Sequence, residues 1–267
     1  MFWRTSLFFL MIVTLMGRSL PWVAAQDWFS FKGRHFIVFY NDNSLRSQAQ
    51  KVLGKAEEGY ETIAEQLGYS RYQHFWTWGE RVAIFIYADK EDFLRETGQP
   101  SWSLGYAGRD AFVSLARKIV TYNQEENFLN GILQHEMSHL MLRDFVGTVP
   151  VWFDEGIAQY QEVQKREPTE RFMRSMIAQG VTIPLPVLMH WDIRTLQNPH
   201  TVALFYAQSL SLVDFLIRVY GQRNFLKLCY RLKEGDHLTE ALRKTYGLGD
   251  KTLQELEEKW VKSFSSY

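Results

Sequence analysis

Two histidines and a glutamate lie close together in the middle of the chain, in the sequence His135-Glu136-Met137-Ser138-His139. An α-helix turns about 100° per residue, so His135 and His139 fall on one side of a helix, about 6 Å apart along its axis. Two imidazoles in that arrangement can bind one metal ion, and zinc commonly takes nitrogen ligands of this kind. Glu136 lies beside them and can reach a water near the metal without binding the metal. The spacing therefore predicts a metal centre with an acid–base group next to it.

The residues around this motif have the hydrophobic spacing of an amphipathic helix. Its apolar positions are Phe128, Leu129, Ile132, Leu133, Leu140 and Met141. The helix can end near Gly147, and Pro150 then redirects the chain into an opposing helix that begins at Val151. Glu155 on that second helix would face back toward the two histidines and supply the third ligand that zinc needs. Asp154 is the alternative ligand, although the adjacent helical position points about 100° away.

The segments HEMSH and PVWFDEGIAQY resemble the gluzincin zinc metallopeptidases, in particular the peptidase-MA-like group with its W-F-x-E-G-[IL]-A-x-Y signature. The resemblance implies a zincin-like fold with a single zinc ion per chain, bound by His135, His139 and Glu155. It also implies that Glu136 is the general base toward a water activated by the metal. The expected reaction is hydrolysis of peptide bonds in a peptide or protein substrate.

The same resemblance suggests a second group that stabilises the tetrahedral oxyanion, because similar gluzincins often place a tyrosine in a helix after the glutamate ligand. Tyr206 is the candidate, with an ordinary core position as its alternative interpretation, and His200 is a second candidate donor. The sequence departs from the thermolysin-like pattern at Gln159, where an aspartate would orient a zinc-bound histidine. Support for the histidines must then come from elsewhere, for example from Asp154 or from a backbone carbonyl.

The elements that must position these residues change along the chain from strand-rich to helical. Strands are predicted at 36–40 and 81–87, with two strand-like stretches in 102–120, and helices are predicted at 44–67 and 90–97. The strand around Gly105 is a candidate edge to which an extended peptide could add by backbone hydrogen bonds, with an ordinary hairpin as the alternative. The later helices are predicted at 124–145, 153–165, 169–179, 200–220, 222–234, 237–246 and 251–264.

This order predicts an α+β protein: an N-terminal strand-rich α/β lobe with a mixed sheet, then an all-helical C-terminal lobe, with the active-site cleft between them. The first lobe, with the HExxH helix, spans residues 26–147, and the second, with the glutamate ligand, spans 148–267. Residues 1–25 are predicted to be a signal peptide, because a positive residue precedes an apolar run and small residues precede a cleavage point. Its features are Arg4, the run Leu7–Met16 and the sequence Val23-Ala24-Ala25.

The composition of the chain excludes some kinds of partner and cross-link and bears on its location in the cell. The 30 basic and 30 acidic residues cancel, which excludes a general electrostatic attraction to nucleic acid. The one cysteine, Cys229, cannot form an internal disulfide. No segment after the leader is predicted to enter a membrane, so we expect an exported protein, periplasmic or secreted, or one anchored by its N-terminus if the leader is retained. The sequence carries no feature that fixes the oligomeric state.

Two other functions fit the same residues. Zinc could serve stability alone, in a protein that binds peptides or cell-envelope partners without turning them over. A metal-dependent amidase acting on a cell-wall amide is the other alternative.

Overall fold

Within the residues that the computed structural model describes (28–68, 76–101, 103–109, 117–124, 128–193 and 198–264), five strands form one mixed sheet. The strands are β1 (Phe29–Lys32), β2 (Phe36–Tyr40), β3 (Val82–Tyr87), β4 (Gly105–Arg109) and β5 (Arg117–Tyr122). Their spatial order is β1-β2-β3-β5-β4. The three central strands run parallel, and β1 and β4 lie antiparallel to their neighbours at the two edges. The predicted mixed sheet in the N-terminal part is therefore confirmed.

Strands β2 and β3 are continuously apolar, as is typical of strands covered on both faces. Ile84 of β3 is paired with Val38 of β2 on one side and with Ile119 of β5 on the other, and all three side chains are fully buried. The first long helix packs against β2. This register places the ends of β4 and β5 next to the helix that carries the histidines, which contacts both strands.

The other regular elements of the described chain are helices, and they occupy most of its C-terminal part, as predicted. They are α1 (Arg46–Leu67), α2 (Lys90–Thr97), α3 (Leu133–Phe145), α4 (Val151–Tyr160), α5 (Val163–Ala178), α6 (Leu185–Leu188), α7 (Pro199–Tyr220), α8 (Gln222–Lys233), α9 (Leu238–Tyr246) and α10 (Thr252–Ser263). A π-helical turn, Phe128–Ile132, leads directly into α3. Of the predicted helix 124–145, residues 125–127 lie outside the described part.

The predicted helices 153–165 and 169–179 are wrong in one respect that matters for the site. The first helix ends at Tyr160, and the second begins at Val163 and continues through Pro168 at its sixth position. A proline there removes one intrahelical N–H near the start of the helix, which leaves most of α5 intact. The break between α4 and α5 lies instead at Gln161 and Glu162, where Glu162 has non-helical backbone angles.

Buried apolar residues of the sheet, α1, α3 and the C-terminal helices form a contiguous core. Helix α7 runs through this core and packs against α4 and α5. By length and composition alone α7 is long and apolar enough to cross a membrane, and half of its most apolar stretch is buried inside the protein. The predicted signal peptide, residues 1–25, lies outside the described residues.

Candidate metal centre and active site

Helix α3 presents both histidines of the motif on its partly exposed face. Met137 and Leu140 anchor the opposite face in the core. The side chains of His135 and His139 remain 18% and 19% exposed, and their Nε2 atoms lie 3.2 Å apart. The i, i+4 spacing has therefore brought two ring nitrogens to one point, as helix geometry requires.

The other nitrogen of each ring is bound by a carboxylate. Nδ1 of His135 lies 2.9 Å from Oε1 of Glu162, and Nδ1 of His139 lies 2.7 Å from Oδ1 of Asp154. A carboxylate only accepts hydrogen bonds, so each Nδ1 is the donor. In the neutral rings, both Nε2 atoms then carry lone pairs, and these lone pairs face the same small volume.

Glu155 of α4 completes this group. Its Oε2 lies 3.7 Å from Nε2 of His135 and 3.9 Å from Nε2 of His139. Two nitrogen ligands of a tetrahedral zinc ion are about 3.3 Å apart, since each bond is about 2.0–2.1 Å long. The three separations lie close to that value, and the donor set of two imidazoles and one carboxylate suits zinc. Asp154, the alternative ligand, is bonded instead to the far side of the His139 ring.

The charges around this group favour a cation. Burial opposes a charge on His139, but the hydrogen bond to Asp154 and the nearby carboxylates of Glu155 and Glu136 outweigh it and raise the pKa of His139 to about 9. Burial raises the pKa of Glu155, and the charges of the two histidines only partly oppose that shift. Carboxylates that raise the pKa of His139 this far create a negative electrostatic potential, and the same potential would stabilise a bound metal ion.

Except for Asp154, these groups line one cavity of about 1090 Å³, to which both parts of the chain contribute. Its lining residues are Ser103, Leu104, Gly105, Ile132, His135, Glu136, His139, Glu155, Gln159, Glu162, Gln164, Lys165 and Tyr206. The N-terminal end of β4 thus lies at the same cavity as the histidines. Glu136, the candidate base, is partly exposed there.

Tyr206 projects into this cavity from α7. Burial, together with the charges of Glu155 and Glu136, raises the pKa of Tyr206 to about 12. Its hydroxyl therefore keeps its proton at neutral pH and is available as a hydrogen-bond donor. His200, the second candidate donor, lies exposed in the first turn of α7 and is not among the residues that line the cavity.

Glu162 is the site residue that sequence reasoning missed. Burial alone would raise its pKa, but hydrogen bonds from His135 and Lys165 outweigh burial and lower it below the ordinary value. Helical spacing from Glu155 gave no valid signal for it, because the helix that carries Glu155 ends at Tyr160 and Glu162 lies in the break that follows. Gln159, where the thermolysin-like pattern has an aspartate, is buried, and its Nε2 has no hydrogen-bond partner within the described chain.

Comparison with known proteins identifies the family of the chain. A family model described as the peptidase MA superfamily matches residues 71–265, which is more than half of the chain. No curated protein sequence matches the chain. Because this match covers most of the chain, the chain belongs to the peptidase MA superfamily.

Proposed function

We propose that this chain is a zinc-dependent metallopeptidase of the gluzincin type, which hydrolyses peptide bonds in peptides or proteins. The observation that carries the proposal is the convergence of three ligand atoms, from His135, His139 and Glu155, in the cavity that also holds Glu136. These three residues would hold one zinc ion per chain. Zinc bound there would supply a Lewis acid that polarises the scissile carbonyl and lowers the pKa of a water molecule to about 7.

The residues of the chain perform the proton transfers. Glu136 accepts the proton of the attacking water and returns it to the leaving amine. Tyr206 keeps its phenolic proton, because its pKa is raised to about 12, and donates a hydrogen bond to the developing oxyanion. Asp154 holds the ring of His139 in place through its Nδ1 atom.

The cavity between the sheet and the C-terminal helices is the proposed active-site cleft. Within the described residues β4 pairs only with β5, so the other side of this edge strand can accept an extended peptide by backbone hydrogen bonds. Leu104 and Gly105, at the start of that strand, line the cavity with the candidate ligands. A peptide added along β4 would therefore pass the metal centre.

We propose in addition that the chain is exported, periplasmic or secreted. Support comes from the sequence of residues 1–25 alone, in which Arg4 precedes the apolar run Leu7–Met16. Cleavage after Ala25 is tested by sequencing the N-terminus of the protein recovered outside the cytoplasm. Recovery of the intact chain in the cytoplasm would contradict export.

The central experiment compares the purified wild-type protein with Glu136→Gln for zinc content and for cleavage of a peptide library. We expect stoichiometric zinc in both, and a loss of about 10²–10⁴-fold in cleavage rate in the variant, since Glu136 moves protons and does not bind the metal. Glu167→Gln, an exposed carboxylate on α5, is the matched control and retains activity. Equal cleavage by wild type and Glu136→Gln would remove Glu136 from its role.

Two results of these assays would favour one of the other two functions, a zinc-stabilised binding protein or a cell-wall amidase. Stoichiometric zinc without turnover of peptides, proteins or cell-wall fragments would favour a zinc-stabilised binding protein. Cleavage of wall fragments alone would favour an amidase.

A further inference from the structure

The break between α4 and α5 directs one side chain onto the metal centre. The backbone N–H of Glu162 donates to the carbonyl of Gln159 at 2.9 Å, and its own carbonyl accepts from the N–H of Lys165 at 2.8 Å. Turn hydrogen bonds thus fix the backbone of Glu162 on both sides. Its side chain is only 7% exposed and points to the ring of His135.

The carboxylate of Glu162 has two partners on one oxygen. Oε1 accepts from Nδ1 of His135 at 2.9 Å and from Nζ of Lys165 at 2.7 Å. A buried carboxylate is costly unless such charge-assisted bonds compensate for its lost hydration. Lys165 is 48% exposed, so its ammonium group stays hydrated while it holds the carboxylate in position.

The absence of a side chain at Gly131 leaves space beside this carboxylate. Gly131 is buried in the π-helical turn before α3. A Cβ atom there would lie 2.7 Å from Nε2 of Gln164 and 3.0 Å from Oε2 of Glu162. Both atoms are the ends of flexible side chains, so a side chain at this position would require the Glu162 carboxylate to shift by only a few tenths of an ångström.

We propose that Glu162 is the positioning residue of His135, held in place by Lys165. By accepting from Nδ1, it fixes the ring so that the Nε2 lone pair faces Nε2 of His139 and the carboxylate of Glu155. Gln159, uncharged and unbonded at its Nε2, does not fill this role. The inference rests on the metal site of the proposed function and adds the residue that sets its affinity.

The test measures zinc affinity of the full chain by competition with a chromogenic chelator, which requires no turnover. We expect Glu162→Gln to raise the zinc dissociation constant about 10–100-fold, as loss of such partners of metal-bound histidines does elsewhere. Glu167→Gln, a 77% exposed carboxylate on α5, is the matched control and should bind zinc like the wild type.

Two further measurements separate positioning from general stability. In the zinc-loaded protein, the Nδ1–H proton of His135 should resonate upfield in Glu162→Gln, since it loses a charged acceptor. If Glu162→Gln does not fold, Lys165→Met is the second variant, and we expect a several-fold weaker zinc affinity with an unchanged melting temperature of the metal-free protein.

The measured zinc affinities support or overturn the inference. Zinc affinity within twofold of the wild type in a folded Glu162→Gln protein, or in Lys165→Met where the first variant is unfolded, would overturn it and leave the proposed function standing. A wild-type protein that binds no zinc would overturn both.

Discussion

Two neighbouring carboxylates on α4 take different roles because successive helical residues point about 100° apart. Oε2 of Glu155 lies within 4 Å of both Nε2 atoms, whereas Asp154 hydrogen-bonds the opposite nitrogen of His139. The sequence favoured this assignment through spacing and through the resemblance of WFDEGIAQY to the gluzincin signature. It did not reveal Glu162, because that side chain reaches His135 through a helix break that the apolar pattern does not mark.

Tyr206 offers a test of oxyanion stabilisation by one hydroxyl. We expect Tyr206→Phe to lower kcat about 10²–10³-fold while zinc content and KM change little, because the hydroxyl acts mainly on charge that develops in the transition state. Tyr220→Phe on the same helix, whose ring packs on Tyr246, is the control and should keep full activity. Steady-state kinetics on one peptide substrate measure both. A kcat within twofold of the wild type would reduce Tyr206 to a packing residue.

The pair formed by His35 and Glu57 predicts a pH dependence of stability away from the site. The backbone N–H of His35 donates to Oε1 of Glu57 at 2.9 Å, and its Nδ1 lies 2.7 Å from Oε2. Burial alone would raise the pKa of Glu57, but these bonds outweigh it and hold the pKa below the ordinary 4.5. A carboxyl with a lowered pKa stabilises the folded state above its unfolded-state pKa, and this contribution is lost as the pH falls through the folded-state value.

We therefore expect Glu57→Gln to lower the melting temperature by a few degrees at pH 7, and the difference to close as the pH falls below 4.5. Thermal unfolding at several pH values measures this difference. Glu58→Gln changes the adjacent exposed carboxylate, which pairs with Lys55, and should have almost no effect at any pH. A difference that is constant from neutral to acidic pH would show that Glu57 contributes by shape and not by charge.

One glycine sets the distance between α4, which carries Glu155, and α7, which carries Tyr206. A Cβ at Gly156 would lie 2.5 Å from the backbone oxygen of Ser209 and 2.7 Å from Cγ2 of Val213. Because the nearest atom is backbone, the helices would have to move apart. Glu155 is the preceding residue on α4, so the position of this ligand depends on the same contact.

We expect Gly156→Ala to lower the free energy of unfolding by about 1–3 kcal/mol and to weaken zinc binding in parallel. Gly54→Ala is the matched control: Gly54 is exposed on α1 with open space around its Cα, so alanine should raise stability by about 0.5–1 kcal/mol. Chemical denaturation measures both. Unchanged stability in Gly156→Ala would show that α4 and α7 adapt without strain.

Elements were predictable from the sequence where local signals coincide. The limits of α2 were predicted without error, since Gly98 takes the left-handed conformation that ends a helix, and β2 was predicted equally well. The boundary between α4 and α5 was not: the predicted gap at 166–168 lies inside α5, which continues through Pro168. At the actual break, Arg166 donates to the carbonyl of Tyr160 at 2.9 Å, and the side chain of Glu162 turns toward His135.

At the scale of the whole molecule, the candidate site joins elements that are distant in sequence. The sheet edge contributes Leu104 and Gly105, α3 contributes the histidines, and α4 and α7 contribute Glu155 and Tyr206. The core that supports them extends through both parts of the chain. A bound zinc ion would therefore tie α3 to α4 on top of an existing core, in contrast to small zinc domains that fold only around their metal.

Removal of zinc tests whether the core folds without the metal. A ligand that binds only the folded state stabilises it by RT ln(1 + [L]/Kd), which is about 4 kcal/mol at a thousandfold excess over Kd. We expect a strong chelator to lower the melting temperature by several degrees while the far-UV circular dichroism at 25 °C stays native, and added zinc to restore it. His135→Ala should melt at the same temperature with and without zinc. Complete unfolding on chelation would mean that zinc organises the fold itself, and a melting temperature indifferent to zinc would remove the metal from the site.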